Sequence, residues 1–154
     1  MDFPHTQIIN ELERCRVTWR ELAGEEHRAW LQRWMELYKE FYAPERRRLR
    51  GARAVAEAQR LCGGSFLLIP CRDPSSKGWR AVGTAYSCEG STLPDLTEAS
   101  HFVDAFISPE DLSWTLLYGH EVDVFGGPEF SRADWFSSAC DERTLKQKWD
   151  RGTS

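Results

Sequence analysis

The sequence predicts an α+β domain: N-terminal helices packed on a mostly antiparallel sheet of about four to five strands, closed by a C-terminal helix. Three observations predict it. Apolar residues recur at helical spacing through the first 62 residues; from residue 63 they give way to short runs rich in aromatic and branched residues; and only short turns separate those runs. Short turns favour antiparallel pairing, because parallel strands need crossovers of a dozen or more residues. Helices, then strands, then a helix imply helices covering one face of the sheet.

The elements follow in order. Ile8, Leu12, Cys15, Trp19 and Leu22 recur at steps of four, three, four and three, the spacing of one helix face. Gly24 interrupts. In "EEHRAWLQRWMELYKEFY", Trp30, Trp34, Leu37 and Phe41 form one stripe and Leu31, Met35, Tyr38 and Tyr42 the next, a broad apolar face opposite Gln32, Arg33, Glu36, Lys39 and Glu40. An aromatic stripe of this kind is core before it is a cofactor box. Pro44 ends that helix or begins the next. "ERRRLRGARAVAEAQRLC" reads as a third helix, stopped by Gly63-Gly64.

The period then shortens. "SFLLIPC", "RAVGTAYSC", "HFVDAFIS", "SWTLLYGH" and "EFSRADWF" read as strands, with turns at "RDPSSKG", "SPEDL" and "FGGP". "LPDLTEAS" suits a brief helix between strands. "CDERTLKQKW" reads as the final helix, its acidic start and basic end matching the helix dipole. The chain of 154 residues fits one domain, 1–154, with a helical part (1–62), a sheet part (63–140) and the last helix (141–150). Seven tryptophans predict an aromatic-rich core.

Composition narrows the class. No apolar run approaches the roughly 20 residues of a membrane span, and the N-terminus lacks a basic-then-apolar leader pattern; a cytoplasmic protein with no membrane partner is expected. Five cysteines, at 15, 62, 71, 88 and 140, are an odd number with no C-x-x-C pair, which argues for reduced thiols over a disulfide framework or zinc ribbon. Whether Cys71 and Cys88 face each other on paired strands is left open by the sequence.

Charge is unevenly divided. Residues 1–62 carry 12 Lys and Arg against 10 Asp and Glu, whereas residues 63–154 carry 8 against 14. Between 89 and 134 stand ten acidic residues (Glu89, Asp95, Glu98, Asp104, Glu110, Asp111, Glu121, Asp123, Glu129 and Asp134) and one basic residue, Arg132. Such a field repels nucleic acid and steers a basic partner. The opposite run, "APERRRLRGAR", has no interleaved aromatics and reads as a solvated helix face, paired to the acidic half, in preference to a nucleic-acid patch.

The chemical motifs are sparse. His120, Glu121 and Asp123 are metal-ligand or acid/base types, but strand alternation sends His120 and Glu121 to opposite faces, and no second histidine follows at zincin spacing. No metal or cofactor is expected. There is no G-x-S-x-G elbow. A Cys88 dyad with His120 or His101 competes with the plainer reading of Cys88 as a buried strand residue. "LCGGSF" runs from helix to strand, the reverse of a phosphate loop, and carries no lysine.

One stretch carries a resemblance. In "FVDAFISPEDLSWTLLYGHEVDVFGGPEF" a strand leads through a short turn to Trp114-Thr115, then hydrophobic residues, His120-Glu121, and Gly127, Pro128 and Phe130. This resembles the W-T, H-E, G-P-x-F core of a family of uncharacterised bacterial proteins, a domain of unknown function. The likeness covers about a fifth of the chain. Gly126 and the "VDV" insert depart from the pattern, which implies a longer loop. The resemblance implies a bacterial origin and a shared fold and brings no activity.

The expectation that follows is a non-catalytic bacterial protein-binding protein. Its concrete form is an immunity protein whose acidic surface covers the basic active-site cleft of a toxin, with Glu89, Asp95, Glu110, Asp111, Glu121 and Asp123 as contacts. The alternatives are a small enzyme using His120 with Glu121 or Asp123 as acid and base, and a structural or regulatory subunit that binds through exposed tryptophans on an apolar patch.

Overall fold

The computed structural model describes residues 3–38, 41, 46–72, 80–119 and 126–135. In chain order the elements are α1 (Phe3–Arg14), β1 (Thr18–Glu21), α2 (Gly24–Tyr38), β2 (Leu49–Arg50), α3 (Ala52–Leu61), β3 (Ser65–Arg72), β4 (Arg80–Ala81), β5 (Tyr86–Glu89), β6 (Asp104–Ser108), β7 (Trp114–Tyr118) and β8 (Glu129–Arg132). Short 3-10 turns stand at Ala99–His101 and Ala133–Trp135. The predicted final helix, 141–150, lies outside the described residues.

The α+β class holds, and every strand pair is antiparallel. The order is β1-β5-β3-β6-β7-β8-β2, with β4 beside β3, so among the described residues the sheet has 8 strands where four to five were predicted. Each extra strand has a physical cause. β1 and β2 come from segments read as helix, and "RAVGTAYSC" is split into β4 and β5 around Gly83, whose φ is 66°.

A second correction concerns the layers. Helices cover both faces. Phe66, Leu68, Ile107, Leu116 and Phe130 point toward α1 and α3, and Leu67, Ile69, Cys71, Phe106 and Leu117 point toward α2. Alternation along each strand therefore fills two cores. The α2 core is aromatic: the Trp34 ring stacks on Phe106 at 4.7 Å between centroids, and its indole N–H donates to Thr115 Oγ1 at 2.9 Å. The stripe that faces the sheet is His27, Leu31, Trp34 and Tyr38; Leu37, predicted apolar and inward, is 42% exposed.

The first helix is shorter than its periodicity. It stops at Arg14 because Arg16 adopts φ 58°, with Val17 N–H donating to Leu12 O and Arg16 N–H to Glu13 O. That is the Schellman stop, here without its usual glycine, and Val17 meets Leu12 in the core as the motif's hydrophobic contact requires. Trp19 and Leu22 then belong to or follow β1 and enter opposite cores.

Arg53 stands exposed on α3, but the rest of the described arginine run precedes that helix. Arg46 is 1% exposed. Its guanidinium donates to Leu37 O at 2.7 Å, Arg132 O at 3.1 Å and Ser131 Oγ at 3.3 Å, and lies 5.0 Å from the Tyr38 ring centre. Leu37 O is a carbonyl of the last turn of α2, where a cation also meets the negative end of the helix dipole. Among the described residues, the predicted pairing with the acidic half is seen at Glu129, which Arg48 and Arg50 both reach.

Candidate functional site

Glu89 closes β5 opposite Ser65 of β3, and Ser108 of β6 stands opposite Leu67 of the same strand. The turn after β6 therefore lies at the same end of the sheet as Glu89. That turn holds Glu110 and Asp111, and all three side chains are exposed. Asp134, beyond the end of β8, belongs to this end too, since Arg132 pairs with Trp114; it is held by Arg132 at 3.0 Å.

The turn is firmly built. Leu112 takes φ 56°, its N–H donates to Pro109 O at 2.9 Å, and its side chain is 1% exposed. The Tyr38 hydroxyl donates to Leu112 O at 2.8 Å, and Asp111 Oδ1 accepts the Ser113 N–H at 3.0 Å. Burial pushes the Tyr38 hydroxyl well above the ordinary tyrosine range, so it remains a donor. Glu110 and Asp111 are thus presented on a pinned hairpin instead of a loose loop.

Asp95 does not join them. Its carboxylate accepts the Thr97 N–H at 3.0 Å and the Thr97 hydroxyl at 2.6 Å, while its own N–H donates to Glu11 at 2.9 Å. It lines a separate groove of about 250 Å³ with Tyr118, Gly51 and Gly126–Pro128. Tyr118 is four residues along β7 from Trp114, about 13 Å at strand rise. The predicted contact set is therefore two groups, Glu89–Glu110–Asp111 and Asp95. His120, Glu121 and Asp123 lie outside the described residues.

Two further acids of the 89–134 stretch are interior. Asp104 is 5% exposed and Glu129 4%, so neither adds to a surface field. Sequence reasoning missed this because their neighbours are distant in the chain: Glu129 faces Arg48, 81 residues away.

The groove beside Asp95 explains the glycines of "FGGP". A β-carbon on Gly127 would sit 2.7 Å from Gly51 Cα, and one on Gly51 would sit 2.6 Å from Gly126 O. Gly51 N–H donates to Pro128 O at 2.8 Å. The Gly126-Gly127-Pro128 segment is the place where the β7–β8 connection crosses the start of α3 in backbone contact, more than a simple two-strand turn.

The thiols resolve plainly. Cys15, Cys62 and Cys88 are free thiols. Cys71 faces α2 and Cys88 faces α1 and α3, so they do not meet. Burial pushes the Cys88 thiol up to about 12, which leaves it protonated and no nucleophile at neutral pH. Among the described residues no three of His, Cys, Asp and Glu gather to hold a metal ion, and no helix is long and apolar enough to cross a membrane.

The fold and these surfaces define an α+β protein with two layers of helix about one antiparallel sheet. No protein-family model, curated protein or solved structure matches the chain.

Proposed function

We propose that this is a non-catalytic bacterial protein that works by binding another protein, in its concrete form an immunity protein seated over the basic active-site cleft of a toxin such as a nuclease. Kinship with the bacterial family of the W-T, H-E, G-P-x-F core, and a cytoplasmic site of action, belong to the same proposal. The observation that carries it is the pinned hairpin: Glu110 and Asp111 stand exposed at the end of the sheet that also bears Glu89. Carboxylates on a rigid turn stand in for substrate phosphates at little entropic cost. Rim charges of this kind act mainly on the association rate.

Titration of purified basic nuclease toxin domains, in low salt, tests it. Binding that weakens at least about 100-fold when Glu89, Glu110 and Asp111 are all reversed to lysine supports the reading, as does loss of the same order when salt rises. A complex untouched by the triple reversal overturns it.

Of the alternatives, the subunit reading calls for a contiguous apolar patch. The exposed large hydrophobics among the described residues are Leu37, on α2, and Phe102, on the opposite side of the sheet, which do not form one. The enzyme reading rests on His120, Glu121 and Asp123, which lie outside the described residues. Replacement of His120 by alanine, without effect on toxin binding, is the outcome expected from the binding reading.

A further inference from the structure

The ladder along one side of β3 is interrupted. β5 ends its pairing with β3 at Leu68–Tyr86, and β4 resumes it at Cys71–Ala81. Ile69 and Pro70 are left without a ladder partner on that side. Proline suits the break, since it has no N–H to leave unpaired. On the α2 face the break is closed: the His27 ring N–H (Nε2) donates to Pro70 O at 2.7 Å. On the α1 face it opens into a cavity of about 130 Å³. Interruptions of this kind recur beside binding sites, because they turn backbone and side chains out of the ladder.

The walls are mostly apolar, from Ile8, Pro70, Val82 and Val103. His5 is a fixed wall, stacked on the Tyr86 ring at 5.6 Å, hydrogen-bonded to its hydroxyl, and 3.9 Å from Glu21. Phe102 lines the cavity and is 52% exposed, the most exposed large apolar residue among those described. Two polar groups complete the lining. Thr84 contributes a hydroxyl, and Arg72 contributes the cavity's full positive charge, with no ion-pair partner among the described residues.

We propose that this cavity binds a small aromatic carboxylate. The carboxylate meets the Arg72 guanidinium, whose fork matches its two oxygens, with the Thr84 hydroxyl as a second donor. The ring lies between Ile8, Pro70 and Phe102, removing the exposed phenyl face from water. A cavity below the roughly 300 Å³ of drug-sized pockets admits one ring and its acid group, little more. This site is separate from the acidic sheet end and does not depend on it.

The test is an amide-resonance NMR titration of the full chain with benzoate, and with benzamide as the neutral isostere. Saturable shifts centred on Gly83, Thr84, Phe102 and Val103 are expected, with a Kd on the order of 1 mM for so small a ligand. Benzamide, and benzoate against Arg72→Gln, should bind about tenfold more weakly. Phe102→Ala should weaken benzoate about fivefold. Both side chains are exposed, so the variants retain the fold, which their unshifted distant resonances verify. Equal binding of benzamide and benzoate, undiminished binding by Arg72→Gln, or shifts that do not saturate at these residues would each overturn the assignment.

Discussion

The carboxylate of Glu129 lies 3.0 Å from the Arg48 side-chain nitrogen, with side-chain exposures of 6% and 14% respectively. The pair joins the start of β8 to the segment before β2, and Arg50 adds a second contact to the same oxygen at 3.1 Å. A charge buried this far is stable only while its partner stays. Glu129→Leu should therefore lower unfolding stability by about 3 kcal/mol, read as a drop in the urea midpoint at unchanged slope. Adding Arg48→Met to that variant should recover part of that loss, because the unpaired charge is then gone while Phe41 O, which accepts from Arg48 at 2.7 Å, loses that donor. A double variant no more stable than Glu129→Leu alone would mean that the pair is incidental.

Arg46 carries a separate expectation. Its guanidinium satisfies Leu37 O, Arg132 O and Ser131 Oγ in a buried setting. Arg46→Ala should cost about 3 kcal/mol or more, since acceptors and ring lose their donor at once. Arg46→Lys keeps the charge but lacks the planar fork, and should recover only part of that loss. Thermal melts of the three proteins give the ranking directly; a lysine variant as stable as the native chain would show that charge alone matters there.

Stability should also fall below neutral pH through His27. The residue is 3% exposed, and burial holds its pKa below the ordinary 6.5, with Arg28 acting in the same direction and the bond to Pro70 O partly opposing. The unfolded chain then binds a proton that the folded chain refuses. Stability is full above about pH 6.5 and is lost as pH falls toward the folded pKa. His27→Gln, which can still donate to Pro70 O, should remove this slope while leaving other acid effects in place. Urea midpoints at pH 7.5 and 5.5 for both chains decide it: equal losses in the two would exclude His27 as the cause.

How much of this was legible in the residues depends on the distance over which each signal acts. α2 was readable because its period is local and Gly24 marks its start. The stop of α1 was not, because Arg16 occupies the left-handed position that glycine normally announces. The second helical layer had a visible trace: the unbroken burial of "FLLIPC", "DAFIS" and "WTLLY" is what strands covered on both faces require. Arg46, Arg48 and Glu129 could not be placed from spacing, because their partners stand across the sheet. At the candidate site, "SPEDL" was correctly a turn bearing two exposed acids. Their grouping with Glu89, and the separation of Asp95, follow only from strand register.

The glycine contact gives the sharpest ranking among substitutions. Gly127→Ala would place a methyl 2.7 Å from Gly51 Cα at φ 124°, and Gly51→Ala would place one 2.6 Å from Gly126 O at φ 64°. Both meet backbone, which cannot turn aside, so each should cost about 2 kcal/mol or more. Gly126→Ala, at φ 80° with open space around it, should cost only the left-handed conformation, about 1 kcal/mol. Gly63→Ala has neither a clash nor a positive φ and should leave stability unchanged or slightly raised. Denaturant midpoints of the four alanine variants measure the order. If Gly126→Ala proved as damaging as Gly127→Ala, the cost would lie in the loop's conformation, and the close crossing of Gly51 and Gly127 would not be what requires glycine there.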